Sequence, residues 1–263
     1  MSRDSRIGLQ MYTMRHHMAN REEYRETLRR VAEIGYEVIQ TTLPSFYTAE
    51  EYQAEMEEFG LCADSVYLPT GQICAQIEEA KRQAEIFGCD VLRTNSIPKE
   101  LRGNADGYRA FAAQLNREGE ACRQAGLRMI YHFHAFEWIR FGRERGIDIL
   151  LGETDPALVY FQPDVFWLTS AGTEPSDSLR MFRGRAFSIH VKDYAIQKLE
   201  GAIEDVPYHY APVGEGNLNW PGILKTADEI GIQRFVVEQD ICTGDAFEAI
   251  GTSYRSLRAM GLK

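Results

Sequence analysis

The sequence predicts an α/β fold, namely a (β/α)8 barrel of the TIM-barrel class that spans residues 1–263 as a single domain. Three observations support this prediction. Short β-rich runs alternate with amphipathic helical stretches, most helical stretches end in glycine, and eight β-rich runs fit within the 263 residues. Alternation of this kind implies parallel strands joined by right-handed helical crossovers, and eight such units are typical of a closed barrel. An open doubly wound sheet is the alternative architecture.

The predicted strands and helices follow one another in a regular order. The eight strands are expected at roughly 7–12, 36–41, 62–67, 90–94, 127–134, 158–163, 186–191 and 234–239. Apolar residues at helical spacing predict helices over 22–34, 72–87 and 105–125, near 146–152 and at 220–230. A long irregular connection is expected over residues 194–219.

Five glycines mark the predicted helix ends, at Gly35, Gly60, Gly88, Gly126 and Gly231. Each follows a helical stretch and precedes a β-rich run, as in VAEIGYEVIQT. Glycine tolerates the left-handed conformation of a helix C-terminal cap better than any other residue. The chain can therefore turn into the next strand within a few residues, as short connections in a barrel require.

The composition argues against several classes of protein. The formal net charge is −10 and there is no dense run of Lys and Arg, so we expect no nucleic-acid partner. The five cysteines are odd in number and none has C-x-x-C spacing, which indicates a reducing compartment rather than a disulfide framework. We see no signal peptide at the N-terminus and no apolar run of about 20 residues, so we expect a cytoplasmic protein without a membrane partner.

Polar side chains lie at the ends of the last four predicted strands. The active site of a (β/α)8 barrel is formed at the C-terminal ends of its strands, so these side chains are candidates for chemistry. They are His132, His134 and Glu137 after strand five, Asp164 after strand six, His190, Lys192 and Asp193 after strand seven, and Glu238 and Asp240 after strand eight. Four neighbouring strands thus bring a carboxylate or an imidazole to one rim.

Carboxylates and an imidazole on a rigid rim predict a site for a divalent cation. Oxygen-rich ligands with one nitrogen favour Mn²⁺ or Mg²⁺, while Co²⁺ and Zn²⁺ are alternatives. Each residue also has a structural interpretation: His190 as a core histidine, Glu238 as the partner of an arginine, and Asp164 as a helix cap. For Asp193 and Asp240, capping of the following helix is the favoured interpretation.

Other late-strand residues are predicted to line the substrate pocket. Lys192 is on the same strand face as His190 and could hold a hydroxyl or a phosphate, or pair with a carboxylate. Arg93 closes strand four and could bind an anion, although a surface salt bridge is the favoured alternative. Gln10 and Tyr12 close strand one, and Trp138 offers an aromatic face that suits a sugar ring.

Six motifs occur in the order found in a known family. They are IGLQMYTMR, YHFHAFEW, the strand that leads to Asp164, IHVKD, VGEGNLNWPGIL and FVVEQD. With these motifs the chain resembles the sugar phosphate isomerase/epimerase group of xylose-isomerase-like TIM barrels. The resemblance implies one divalent metal ion held by Glu137, Asp164, His190 and Glu238, and a homo-oligomer.

One position departs from the family pattern. Many epimerases carry the first glutamate ligand earlier on strand five, where this chain has His132. Either Glu137 reaches back to the metal ion, or His132 or His134 replaces it as a ligand. We expect Glu137 to be the ligand and the histidines to be acid or base candidates.

The resemblance also implies a reaction. The expected activity is a sugar isomerase or epimerase that removes a proton next to a carbonyl and passes through an enediolate, with Glu137 and Glu238 as paired bases. If a strand-five histidine, His132 or His134, is the base instead, its near-neutral pKa suits the task. The same arrangement could expel a leaving group, which would make a lyase or dehydratase, including one that cleaves keto-glycosides. A non-catalytic sugar-binding protein and a DNA-repair endonuclease are further alternatives, and the acidic charge argues against the second.

Overall fold

The structure is a computed structural model that describes residues 5–196 and 208–263. The barrel strands are β1 (Ile7–Gln10), β2 (Val38–Gln40), β3 (Cys62–Ala63) with β4 (Val66–Tyr67), β5 (Val91–Asn95), β6 (Arg128–His132), β9 (Val159–Gln162), β10 (Ser188–Val191) and β13 (Arg234–Val237). Two hairpins add β7 (Arg140–Phe141) with β8 (Glu144–Arg145), and β11 (Asp193–Ile196) with β12 (Tyr208–Ala211). All eight predicted barrel strands are therefore found, most of them shorter than expected.

Parallel pairing arranges the barrel strands in two sheets. One has the order β10-β13-β1-β2-β3 and the other has the order β4-β5-β6-β9. A parallel bridge between Asp164 and His190 joins the end of β9 to β10 and links the two sheets on one side. Because this bridge lies where the strands end, it also brings two candidate site residues next to each other.

The third barrel strand is broken, which corrects the prediction of one continuous strand over 62–67. Its first part, β3, pairs with β2, and its second part, β4, pairs with β5. The chain crosses from one sheet to the other at Asp64 and Ser65, which belong to neither part. The break thus forms the second seam of the barrel.

Helices connect the strands. They are α1 (Arg21–Ile34), α2 (Ala49–Glu58), α3 (Ile73–Phe87), α4 (Ala105–Gln124), α5 (Gly146–Glu153), α6 (Val165–Ser170), α7 (Pro175–Ser178), α8 (Trp220–Ile230) and α9 (Ala246–Ala259). Short 3-10 turns occupy Met11–His17, Lys99–Leu101, Ala135–Trp138 and Leu179–Phe182. The five predicted glycine caps all have positive φ, so the short helix-to-strand turns are confirmed.

The apolar residues of the strands and the inner helix faces form one core. On α1, Tyr24, Leu28 and Val31 are buried, and the helix lies against the barrel along this side. Most of the surface charges on α1 pair with neighbouring side chains instead. Within residues 5–196 and 208–263, no helix combines the length and the apolarity that a membrane crossing requires.

The connection after β10 has more order than the sequence suggests. The predicted irregular stretch over 194–219 contains the β11–β12 hairpin, and residues 197–207 of it lie outside the described residues. The Asp193 carboxylate accepts hydrogen bonds from the backbone N–H groups of Gly214 and Gly216 and from the indole N–H of Trp220. A Cβ on Gly216 would collide with this carboxylate, which explains the glycine. Asp193 therefore organises this loop, and the expectation that it caps a helix is wrong.

Candidate metal centre and active site

Four buried side chains converge at the C-terminal mouth of the barrel. They are His132 at the end of β6, Asp164 after β9, His190 on β10 and Glu238 after β13. One potential ligand atom from each lies within 4.8 Å of the others. The predicted meeting of Asp164, His190 and Glu238 on neighbouring strands is thus what the structure shows.

The distances within this group suit a single metal ion. An ion with ligand distances of about 2.0–2.4 Å separates opposite ligands by about 4–5 Å, which is close to the spread of these four atoms. Asp164 Oδ2, His190 Nδ1 and Glu238 Oε2 are also buried without a hydrogen-bond partner of good geometry. Buried polar atoms normally make hydrogen bonds, whereas these three have only ionic contacts with one another and with Lys192, so the group fits a bound cation as well.

A hydrogen bond on the far side of the ring orients His190. Its Nε2 lies 2.9 Å from Gln40 Oε1 at the end of β2, while its Nδ1 lies 2.9 Å from Glu238 Oε2. Because Gln40 Oε1 can only accept, Nε2 carries a proton, and Nδ1 is the ring nitrogen that faces the group. The Gln40 amide in turn donates to Asp64 Oδ2 at 3.1 Å, which fixes the orientation of the amide. Gln40 was missed in the sequence, although its place at a strand end could have identified it.

His132 occupies the fourth position. Its Nδ1 lies 3.4 Å from the carbonyl oxygen of Gln162, and its ring lies 4.3 Å from that of His190 between centroids. Burial, followed by the neighbouring His190, lowers the pKa of His132 well below its usual value. The imidazole is therefore neutral at pH 7, as a metal ligand must be.

Asp164 has both of the roles that the sequence left open. Its Oδ1 accepts hydrogen bonds from the backbone N–H groups of Phe166 at 2.8 Å and Trp167 at 3.2 Å, and so caps the start of α6. Its Oδ2 faces the group of four. Burial raises the pKa of Asp164 to about 6, which reflects the cost of an enclosed carboxylate.

Lys192 lies among the carboxylates of the site. Its Nζ is 3.2 Å from Asp164 Oδ2, 2.8 Å from Glu238 Oε2 and 2.7 Å from Asp240 Oδ2, and the side chain is 1% exposed. Burial alone would lower the pKa of Lys192, but these three carboxylates hold it well above its usual value. Burial alone would likewise raise the pKa of Glu238, whereas Lys192 and His190 hold it well below its usual range. The ammonium therefore compensates the negative charge of the site.

Asp240 belongs to the site and does not cap a helix. Its carboxylate pairs with Lys192, and its carbonyl oxygen accepts a hydrogen bond from Arg15 at 2.6 Å. Helix α9 is capped by Asp245, whose carboxylate accepts from the N–H groups of Phe247 and Glu248. The capping expectation for Asp240 is wrong because α9 begins six residues beyond it.

Glu137 lies outside the group of four, which corrects its expected placement. Its Oε1 accepts a hydrogen bond from the Tyr131 hydroxyl at 2.5 Å, and its Oε2 accepts from the backbone N–H of His134 at 2.9 Å. The side chain is fully buried, and burial raises its pKa to about 8. The 3-10 turn Ala135–Trp138 carries this carboxylate behind the rim, so His132 takes the position expected for Glu137.

A pocket of about 370 Å³ lies over the group of four. One wall contains His132, His134, His190, Lys192, Glu238 and Asp240. The part of the barrel from β1 to β5 contributes Gln10, Tyr12, Thr42, Tyr67, Arg93 and Asn95. The predicted pocket residues Gln10, Tyr12, Arg93 and Lys192 are therefore found at the mouth, whereas Thr42 and Asn95 were missed because their types carry no specific signal.

Three further predicted site residues, Tyr12, His134 and Trp138, differ in their relation to the pocket. Tyr12 is 52% exposed and stacks under the Arg15 guanidinium, so it stands at the entrance. His134 is half-buried beside His132, with its Nδ1 unpaired, and burial lowers its pKa to about 4. Trp138 does not line the pocket; its ring packs on Phe133 in the core, which corrects the expectation that it contacts a substrate.

The fold and the site together define the class of protein. Residues 28–260 match the family described as xylose isomerase-like TIM barrel, so the chain belongs to that family. Among curated relatives, an inosose dehydratase from Clostridium beijerinckii is 28% identical over 216 residues, which cover 78% of this chain and 70% of that protein. An inosose dehydratase from Clostridium perfringens is 25% identical over 55% of this chain and 52% of its own length.

Solved structures share the fold at lower sequence identity. A sugar phosphate isomerase/epimerase from Parabacteroides distasonis superposes with a TM-score of 0.79 at 23% identity, and the match covers 100% of this chain and 96% of that one. The IolI protein with a binding zinc atom superposes with a TM-score of 0.71 at 13% identity over 97% of each chain. Enzymes of two reaction classes, isomerases or epimerases and dehydratases, are thus represented among the similar proteins.

Proposed function

We propose that this protein is a divalent-metal-dependent enzyme that removes a proton next to the carbonyl group of a sugar or keto-sugar. The observation that carries the proposal is the convergence of His132, Asp164, His190 and Glu238 beneath a pocket of small-molecule size. Unsatisfied ligand atoms and a pocket above them are the two features that a metal-assisted carbon acid reaction needs.

The ligand set narrows the choice of metal ion. His132, Asp164, His190 and Glu238 would supply two imidazole nitrogens and two carboxylates, which is one nitrogen more than the sequence predicted. Imidazole nitrogens suit Zn²⁺ and similar transition metals, whereas carboxylates suit Mn²⁺ and Mg²⁺, so two of each favour Zn²⁺, Co²⁺ or Mn²⁺ over Mg²⁺. A bound divalent ion would stabilise the negative charge that develops on a carbonyl oxygen of the substrate.

The remaining pocket side chains would carry out the proton transfers. His134 is the proposed base, because its ring lines the pocket and is neutral above a pKa of about 4. Lys192 would hold the Asp164 and Glu238 carboxylates in position, because its ammonium lies 3.2 and 2.8 Å from them. Glu137 does not reach the pocket, so paired glutamate bases on both faces of the sugar are not proposed.

Two outcomes of the same step are candidates. Isomerisation or epimerisation follows if the proton returns to carbon, and this outcome rests on the family resemblance. Dehydration follows if a neighbouring hydroxyl leaves, and the inosose dehydratase relatives favour this second candidate. The lack of a second glutamate base also favours elimination over epimerisation, because epimerisation moves a proton at both faces of the sugar and elimination removes one at a single face.

Removal of the metal ion tests the proposal. Dialysis against EDTA should abolish turnover of ketoses and keto-sugars, and Mn²⁺, Co²⁺ or Zn²⁺ should restore it. Turnover in heavy water should place deuterium on the substrate carbon if the proton returns, while an ultraviolet absorbance from a new double bond would indicate dehydration. Full activity in the metal-free protein would contradict the proposal.

A further inference from the structure

Arg93 is a buried cation that no side chain of the described residues neutralises. It lies on β5, next to the strand that carries His132, is 4% exposed and lines the pocket. Its Nε has no hydrogen-bond partner, and no carboxylate of residues 5–196 and 208–263 lies within 4.0 Å of its guanidinium. The sequence favoured a surface salt bridge for this residue, and the structure shows neither exposure nor such a bridge.

The side chains around Arg93 fix the orientation of its guanidinium but do not form a salt bridge with it. The guanidinium lies over the ring of Tyr67 at 4.8 Å from the centroid. The Tyr67 hydroxyl donates to Asn95 Oδ1 at 2.9 Å, so both side chains are fixed beside it. Stacking on an aromatic ring orients an arginine but offers little of the compensation that a carboxylate gives.

The nearest acidic groups are committed elsewhere. Asp64 attracts Arg93 at longer range, but its Oδ1 accepts from the Ser65 hydroxyl and its Oδ2 accepts from the Gln40 amide. Glu238 faces Lys192 and His190. Burial accordingly lowers the pKa of Arg93, as expected for a cation whose partners are distant.

From this geometry, and resting on the proposed function, we propose that the substrate carries a carboxylate that Arg93 binds in the pocket beside the metal centre. The planar guanidinium fork matches a carboxylate with two parallel hydrogen bonds. Lys192 is held by three carboxylates, so among the described side chains that line the pocket Arg93 is the cation available for a ligand. One available charge suits a monoanion, and the substrate class is therefore a sugar-derived acid or keto acid.

Matched pairs of sugars test this proposal by titration calorimetry on the Mn²⁺-loaded full chain. D-glucuronate and D-galacturonate are compared with D-glucose and D-galactose, and D-glucose 6-phosphate represents a phosphate ester. We expect at least one hexuronate to bind about tenfold or more tightly than its parent aldose, as a charge-assisted pair would give. Arg93→Gln should abolish this preference, and Arg93→Lys should keep part of it.

An arginine on the outer surface provides the control. Arg123 is exposed on α4 and pairs with Glu120, so Arg123→Gln should leave the preference unchanged. The melting temperature of Arg93→Gln should stay the same or rise, because the variant removes an unpaired buried charge. A lower melting temperature together with an unchanged hexuronate preference would make Arg93 structural and overturn the proposal.

The remaining outcomes separate this proposal from the proposed function. Equal binding of hexuronates and aldoses in every pair, or tighter binding of the phosphate ester than of any hexuronate, would overturn the carboxylate assignment. Metal-dependent turnover of neutral sugars that is unaffected in Arg93→Gln would overturn it as well and leave the proposed function intact. Arg93-dependent hexuronate binding without metal-dependent turnover of any substrate would support the carboxylate site and contradict the proposed function.

Discussion

His132 and Glu137 are five residues apart in one motif, yet they have opposite surroundings. Glu137 is enclosed by protein donors, with one oxygen bonded to the Tyr131 hydroxyl and the other to the backbone of His134. His132 faces a group in which buried ligand atoms of three other residues lack a hydrogen bond of good geometry. Both regions are almost completely buried, so burial does not distinguish them.

The comparison shows how a structural polar group differs from a group that awaits a ligand. A buried carboxylate whose two oxygens accept hydrogen bonds from the protein is satisfied, and a metal ion would have to displace those donors. Several potential metal-ligand atoms that converge without hydrogen-bonding one another are electrostatically unfavourable when buried, and a bound cation removes that free-energy cost. The chemistry of a residue therefore depends on which of its atoms remain unpaired.

The largest expected effect comes from a matched pair of substitutions at these two positions. His132→Ala should lower metal affinity by more than the roughly 10–100-fold that loss of an outer-shell partner costs, because a direct ligand is removed. Glu137→Gln should leave the metal content of the purified protein unchanged. Mass spectrometry of the metal content, together with turnover, measures both variants.

The reverse result would support the sequence-based prediction that Glu137, and not His132, is the metal ligand. If Glu137→Gln lost the metal ion and His132→Ala kept it, Glu137 would have to move to the rim when metal binds. Circular dichroism on both variants controls for unfolding, since His132→Ala also removes a buried ring that contacts His190.

A smaller effect is expected at Lys192, which acts as an internal counter-ion of the metal region. Lys192→Met should destabilise the metal-free protein by about 3–5 kcal/mol, because three carboxylates lose their cation. For a chain of this size the melting temperature should fall on the order of 10 °C. Added Mn²⁺ should raise the melting temperature more in this variant than in the wild type. The exposed Lys225→Met on α8 is the control, and an equal response of both variants would contradict the counter-ion role.

Much of the fold follows from local physical rules. Glycine caps and apolar residues at helical spacing placed α1, α3, α4 and α8 within one or two residues of their observed bounds. The break between β3 and β4 could not be predicted in this way, because it depends on which neighbouring strand each part pairs with. The β11–β12 hairpin was not predicted for the same reason, because its register depends on contacts with the loop that Asp193 organises.

The sequence predicted those site residues whose location depends only on their position along a strand. Asp164, His190 and Glu238 lie at strand ends, and parallel strands of a barrel bring such positions together. Glu137 follows its strand by five residues, so the 3-10 turn and the Tyr131 hydroxyl determine where its carboxylate points. The unpaired state of Arg93 likewise depends on the distances to acids on other strands, which a sequence does not contain.

The effect that is smallest per measured step is the pH dependence that Glu137 contributes to stability, because it is spread over several pH units. Burial raises the pKa of Glu137 to about 8 from 4.5, so the folded state keeps a proton that the unfolded chain releases between these values. The unfolded state therefore binds fewer protons, and the free energy of unfolding falls as the pH rises from about 4.5 to 8, by at most about 1.4 kcal/mol per pH unit. Glu137→Gln cannot ionise, so the difference in unfolding free energy between wild type and variant should shrink or change sign across this range. Urea denaturation at pH 5, 6, 7 and 8 measures the difference, and a constant value would show that Glu137 is ionised in the folded protein throughout.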